Sequence, residues 1–66
     1  MMARPICCIW DCDELAIGAV NAQWTIFDFD HWYVCGEHVE RVFQAVRRRK
    51  IDGQRPGDVW TTIWGS

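Results

Sequence analysis

Cysteine and histidine are the residues of this chain best suited to chemistry. The sequence holds four cysteines and two histidines in 66 residues. Three cysteines are gathered in "CCIWDC" at residues 7–12, and Cys35 and His38 are separated by two residues in "CGEH". Thiolate and imidazole are ligands that zinc prefers in proteins, so the two groups together indicate a four-coordinate metal site.

The "CGEH" group lies where the sequence takes up a helical pattern. The apolar residues of this pattern, at the spacing of one helix stripe, are Val39, Val42, Phe43 and Val46. We expect the helix to start at Glu37, with Cys35 just before it and His38 in its first turn. Unpaired amide groups and the positive end of the helix dipole favour a thiolate at that place.

The N-terminal cysteines offer a second pair of ligands. Cys12 can join Cys7, at the spacing Cys-x4-Cys, or Cys8, at the spacing Cys-x3-Cys. The spacing alone leaves both pairings open. Either pair, added to Cys35 and His38, gives the closed tetrahedral shell of a structural zinc site, with no position for a water molecule.

The order of these motifs resembles a short treble-clef zinc finger, such as occurs in small bacterial and phage proteins. In that family a knuckle supplies two ligands and the N-terminus of a helix supplies two more. The resemblance covers residues 7–50 and implies a knuckle, a β-hairpin and one α-helix, which together with a C-terminal strand make a small α+β fold. It also implies one structural Zn²⁺. The implied ligands are Cys7, Cys12, Cys35 and His38, with Cys8 as the alternative to Cys7.

The remaining segments predict the rest of this fold. "LAIGAV" and "WTIFDFDHWYVC" are rich in β-branched and aromatic residues and predict two strands, with Asn21 as the turn between them. Gly53 is the expected end of the helix, and residues 58–64 predict a last strand that packs back onto the hairpin. We expect one domain over residues 1–66, with a zinc-finger core at 7–50 and a C-terminal turn and strand at 51–66.

Size and the N-terminal sequence bear on how the fold is stabilised. A chain of 66 residues has a marginal hydrophobic core and needs a metal or disulfides. "MMARPICCIWDC" does not read as a secretory signal, and no apolar run is long enough to span a membrane. We therefore expect a cytoplasmic protein with a metal site. A metal-free thiol or disulfide protein is the alternative.

The charge pattern bears on nucleic-acid binding. The net charge is −2; residues 1–34 carry one basic and five acidic side chains, and residues 35–66 carry six basic and four acidic ones. Dedicated nucleic-acid binders are typically basic, which this chain is not. The basic residues at the helix end nevertheless make a nucleic-acid-binding zinc finger the second hypothesis. These residues are Arg47, Arg48, Arg49, Lys50 and Arg55.

Five tryptophans favour a protein-binding function. A domain of this size cannot bury them all, and exposed tryptophan is enriched in protein interfaces. Trp60 and Trp64 share one face of the predicted last strand, and we expect them to bind a protein partner or a second copy. Asp28 and Asp30 would repel phosphates from the hairpin. The predicted function is a small adaptor or regulator that acts through protein–protein interaction.

No catalytic pattern accompanies these features. The sequence has no nucleophile and base at a familiar spacing, no phosphate-binding loop and no nucleotide fingerprint. His31, in "DFDHW", is expected to be a surface or strand histidine. We therefore predict that the protein is not an enzyme.

Overall fold

Three strands and one helix follow one another along the chain in a computed structural model that describes residues 5–65. These elements are β1 (Gly18–Gln23), β2 (Phe29–Val34), α1 (Val39–Arg48) and β3 (Asp58–Ile63). The strands form one antiparallel sheet in the order β2-β1-β3, and α1 packs on one face of it. The fold is α+β, as the sequence predicts, and the C-terminal strand pairs with the hairpin.

β1 lies at the centre of the sheet, where four of its six residues are buried. Ala19, Val20 and Ala22 are buried, and Gly18 lies opposite Val34 on one side and Ile63 on the other. A Cβ atom at Gly18 would collide with the backbone of β3, where the Ile63 Cα would be 2.9 Å away. Glycine therefore lets β3 approach the central strand.

Asn21 lies inside β1, so its predicted position in a turn is wrong. Its side-chain nitrogen donates to Thr62 Oγ1 at 3.2 Å and to the Trp60 carbonyl oxygen at 3.4 Å, both in β3. A polar side chain is tolerated in a central strand when a neighbouring strand supplies its hydrogen-bond partners.

The hairpin turn occupies residues 24–28 instead, and β2 starts at Phe29. The Trp24 N–H donates to the Asp28 carbonyl oxygen at 2.8 Å. The Thr25 hydroxyl accepts hydrogen bonds from the backbone N–H groups of Phe27 and Asp28, at 3.2 and 3.1 Å. Side-chain hydrogen bonds of this kind compete with strand pairing, which explains why the alternating pattern at residues 26–30 does not form a strand throughout.

α1 is shorter at both ends than the sequence predicts. His38 is its N-cap residue and not part of its first turn, and the helix ends at Arg48, before Gly53. Arg49 takes an extended conformation, which stops the helix. Gly53 lies in a separate tight turn at positive φ, in which Ile51 and Gln54 exchange two backbone hydrogen bonds of 2.9 Å.

The core between α1 and the sheet is thin. Val20 and Val34 are the largest fully buried side chains, and α1 adds Val42 and Val46. Tryptophan and phenylalanine side chains pack at the margins of this core and stay partly exposed. Burial of valine and alanine contributes only about 1–3 kcal/mol per side chain, so the sheet and helix alone offer limited stability.

β3 matches the predicted C-terminal strand within one residue, because it ends at Ile63 and not at residue 64. The division of the chain into a core at residues 7–50 and a C-terminal segment at 51–66 stays a prediction, and residues 1–4 and 66 lie outside the described part. Within residues 5–65, no helix has the length and apolar character needed to cross a membrane.

Candidate metal centre

The N-terminal knuckle, residues 7–12, is a loop held against the sheet by backbone hydrogen bonds. Ile6 and Leu15 form an isolated β-bridge at its base, and the Cys7 N–H donates to the Glu14 carbonyl oxygen at 3.0 Å. The Cys8 N–H donates to the Tyr33 carbonyl oxygen at 2.8 Å, which fixes the knuckle to β2. The knuckle is thereby held at the end of β2 that leads to Cys35.

Asp11 gives the knuckle its tight curvature. Its φ is 68°, in the left-handed region where glycine is the usual residue and aspartate is one of the few tolerated alternatives. The Cys12 N–H donates back to the Ile9 carbonyl oxygen at 3.1 Å, which closes the turn. The sequence contains no glycine in this loop, and Asp11 takes its conformational role.

Cys35 and His38 face the knuckle from the connection between β2 and α1. Cys35 directly follows β2, and His38 caps α1. The His38 N–H donates to the Cys35 carbonyl oxygen at 3.2 Å, so a tight turn places both side chains on the same side. The helix start thus supplies two donors, as the spacing predicts.

The four side chains converge on one point. Their donor atoms, the sulfurs of Cys7, Cys12 and Cys35 and a ring nitrogen of His38, all lie within 4.8 Å of one another. The Sγ atoms of Cys12 and Cys35 are 3.8 Å apart. The His38 Nδ1 atom lies 3.2 Å from Cys35 Sγ and 3.8 Å from Cys7 Sγ.

The separation of the Cys12 and Cys35 sulfurs is that of two ligands in a tetrahedral metal site. Zinc–sulfur bonds of about 2.3 Å place two tetrahedral sulfur ligands about 3.8 Å apart. That is the distance between Cys12 and Cys35. All cysteines are free of disulfide bonds, so their sulfurs remain available as donors. The cluster can hold one metal ion.

Burial separates the cluster cysteines from Cys8. Cys7 is 4% exposed and Cys35 is 3% exposed, whereas Cys12 is half-buried and Cys8 is exposed. Cys8 lies outside the cluster, beside Trp32 and the basic side chains of α1. Of the two pairings that the spacing leaves open, the structure brings Cys7 to Cys12.

The cluster thiols influence one another's ionisation. Burial disfavours the Cys7 thiolate, but hydrogen bonds from the backbone and from the Cys35 and His38 side chains outweigh it and lower the pKa of Cys7 to about 7. At Cys12 a backbone hydrogen bond lowers the pKa, but burial, thiol contacts and the charge of Cys35 together raise it to about 11. Ionisation of one cluster thiol therefore disfavours ionisation of its neighbours, because the negative charges repel one another. A bound cation would relieve that repulsion.

Aromatic residues of β2, of β3 and of the segment directly after β3 form a second candidate surface. Side chains alternate along a strand, so His31, Tyr33, Trp60 and Trp64 share the sheet face opposite α1, and we call them the aromatic face. The Tyr33 ring lies 5.2 Å from the His31 ring and 5.8 Å from the Trp64 ring, between centroids. His31 is exposed on a strand, as predicted.

Sequence reasoning identifies Trp60 and Trp64 but misses Tyr33 and His31 as their neighbours. The alternation of "HWYV" places His31 and Tyr33 on one face, but their distance from Trp64 depends on which strand β3 joins. The alternation therefore predicts that His31 and Tyr33 share a face. That this face also includes Trp60 and Trp64 depends on the strand order, which the sequence does not reveal.

The predicted basic patch is divided between different sides of the helix. Arg47 lies over the Phe43 ring, with its guanidinium carbon 5.8 Å from the centroid. Arg49 lies over Trp32, 5.9 Å from that centroid. Arg47 and Arg55 line one groove, whereas Arg48 and Arg49 line another. Arg49 and Lys50 lie beyond the end of α1.

Compared with protein-family models, with curated protein sequences and with solved structures, the chain matches none of them.

Proposed function

We propose that the protein is a structural-zinc binding module. The observation that carries the proposal is the convergence of three cysteine sulfurs and one histidine nitrogen within 4.8 Å. Soft thiolate donors with imidazole in a tetrahedral arrangement favour Zn²⁺ over magnesium or calcium, which prefer oxygen ligands. All four ligands come from Cys7, Cys12, Cys35 and His38. This closed shell leaves no position for substrate or water, which supports a non-enzymatic role.

The origin of the ligands supports a treble-clef-like arrangement. Cys7 and Cys12 come from a knuckle, and Cys35 and His38 come from the start of the only helix in residues 5–65. A hairpin lies between the two pairs. This order of elements agrees with the family that the sequence motifs resemble.

Metal binding would supply much of the folding free energy. Two of the buried side chains, Cys7 and Cys35, are themselves proposed ligands, and the largest fully buried ones are valines. Structural zinc contributes roughly 10–16 kcal/mol in zinc-finger peptides at neutral pH, as an apparent binding free energy. A core this thin is therefore expected to depend on the metal.

The test is metal content followed by chelation. Protein purified without added metal should contain one zinc per chain by plasma mass spectrometry, and chelation should replace the circular dichroism spectrum of the folded protein with that of an unfolded chain. Restored signal on adding Zn²⁺ would exclude loss by aggregation. A chain that folds fully without metal would overturn the proposal and favour the metal-free thiol protein.

We propose further that the aromatic face binds a protein partner in the cytoplasm, as an adaptor or regulator does. Tyr33, Trp60 and Trp64 keep 36–37% of their surface exposed on one flat sheet face. Aromatic side chains that remain solvent-accessible in the free protein are common binding anchors. No lysine or arginine lies on this face of the three strands, which gives the nucleic-acid hypothesis less support than the protein hypothesis.

Two experiments separate these partners. Tyr33→Ala and Trp64→Ala should each reduce retention of a purified partner, whereas Trp10→Ala, which changes a 94% exposed ring on the knuckle, should not. A salt titration with single-stranded DNA and RNA tests the alternative. Tight binding that weakens steeply with salt, and that is lost on replacing Arg47–Lys50, would favour nucleic acid over protein.

A further inference from the structure

The outer edge of β3 has no strand beside it in residues 5–65. The Trp64 N–H donates to the Ile17 carbonyl oxygen at 3.0 Å, toward the centre of the sheet. Because backbone groups alternate in direction along a strand, those of Val59, Thr61 and Ile63 point outward. The strand "DVWTTI" has no lysine or proline, the residues that commonly protect such an edge from pairing.

A groove runs beside this edge, between β3 and α1. At one end the groove has a volume of about 400 Å³ and is lined by three apolar residues, Val39, Phe43 and Ile63, and by three polar ones. Ile63 is 53% exposed there. Phe43 connects this part to a second part near the start of β3. The surface next to the free strand edge therefore combines apolar side chains near Ile63 with polar and charged ones near Val59.

The two ends of the groove carry side chains of opposite charge. Glu40 lines the end near Ile63, and Arg47 and Arg55 line the end near Val59. Asp58 also lies at the second end, which keeps a net positive charge there. Along α1, Glu40 and Arg47 are spaced equally from the midpoint between Phe43 and Gln44, two residues that line the groove together with Thr61.

We propose that the β3 edge is the interface of a homodimer. A twofold axis beside Thr61 would pair β3 antiparallel with β3 of a second copy, so that Val59 lies opposite Ile63 of that copy and Thr61 lies opposite its counterpart. The same operation brings Glu40 of each copy to Arg47 of the other. A charge pattern that complements itself under a twofold rotation is what a symmetric interface requires, and an unrelated peptide would not need it.

This arrangement joins two sheets into one of six strands and covers Phe43 of each copy with Phe43 of the other, because Phe43 lies next to the twofold axis. The aromatic faces of both copies would then lie on the same side of the combined sheet. The dimer goes beyond the proposed function, since it needs the fold and not a particular metal.

Sedimentation equilibrium of the metal-loaded chain tests the proposal. Wild-type protein should sediment at twice the chain mass, and Glu40→Arg and Arg47→Glu should each weaken the dimer at least about tenfold, because each creates two like-charge contacts. An equimolar mixture of these two variants should associate again. One half of the mixed interface then pairs the two introduced side chains, and the other half keeps the original pair of Glu40 and Arg47. Arg48→Glu, in the other groove, is the control and should leave the dimer unchanged.

A monomeric wild type at sub-millimolar concentration would overturn the dimer. So would a mixture that associates no better than the separate variants. Circular dichroism and zinc content, measured on every sample, show that each variant is folded and separate failure of the dimer from failure of the metal site.

Discussion

Cys12 and Cys35 place their Sγ atoms 3.8 Å apart although they are 23 residues apart in the chain. One belongs to the knuckle and the other follows the edge strand β2. A metal ion bound between them would link the N-terminal loop to the end of the sheet.

Replacing Cys7 should weaken zinc binding, whereas replacing the adjacent Cys8 should not. Cys7→Ser removes a proposed ligand that is 4% exposed, and zinc affinity should fall by at least roughly 100-fold, the upper range for loss of a mere outer-shell partner. Cys8→Ser changes an exposed side chain outside the cluster and should leave affinity unchanged. Competition with a chromophoric chelator measures both. The reverse order would make Cys8 the ligand.

The left-handed conformation of Asp11 predicts which replacements the knuckle accepts. Asp11→Gly suits a φ of 68° and should retain zinc affinity. Asp11→Val places a β-branched side chain there, at a cost of about 1–2 kcal/mol, equivalent to roughly 5–30-fold weaker binding. The same chelator competition compares the two variants. Equal affinities would show that the knuckle turn does not depend on this conformation.

Gly18 should accept a side chain less readily than Gly57, which directly precedes β3. In Gly18→Ala the new Cβ meets the backbone of Thr62 and Ile63, and we expect a loss of about 1–3 kcal/mol in the free energy of unfolding. Gly57→Ala is the matched control, since its Cβ would lie an ordinary 3.5 Å from the Gln23 carbonyl oxygen. Urea denaturation of metal-loaded protein gives both values, and equal midpoints would contradict the prediction.

Asn21 should tolerate threonine better than aspartate. Its amide donates to Thr62 and to the carbonyl oxygens of Ala19 and Trp60. Asn21→Asp replaces that donor with a charged acceptor and should destabilise the fold by roughly 1–3 kcal/mol, whereas Asn21→Thr keeps a donor and suits a strand. Thermal unfolding compares them. A variant with aspartate as stable as the wild type would show that these hydrogen bonds contribute little.

The helix and the convergence of its two donors could be predicted because their signals are local. The apolar stripe of α1 and the spacing of Cys35 and His38 lie within one continuous segment, and a helix start has known geometry. The choice between Cys7 and Cys8 could not be predicted in this way, because it depends on backbone hydrogen bonds from the knuckle to Glu14 and Tyr33. No spacing rule contains that information.

The end of β1 and the position of the hairpin turn could not be predicted from the residues of these segments alone. Asn21 has the composition of a turn residue, and the partner that keeps it in the strand, Thr62, is 41 positions away. Conversely, residues 26–30 alternate like a strand, but hydrogen bonds to the Thr25 hydroxyl close a turn there. In both places a tertiary or side-chain contact outweighed the local preference.

Cys8, the exposed cysteine outside the cluster, is the one thiol whose reactivity should not depend on the metal, so the number of reactive thiols per chain reports metal occupancy. With the cluster ligated, a thiol reagent should find one reactive sulfhydryl per molecule, and after chelation under denaturing conditions it should find all four. The same position offers a single attachment point for a fluorophore or spin label, anchored to β2 through the Cys8 backbone. Site-specific labelling of the folded protein would therefore need no engineered cysteine.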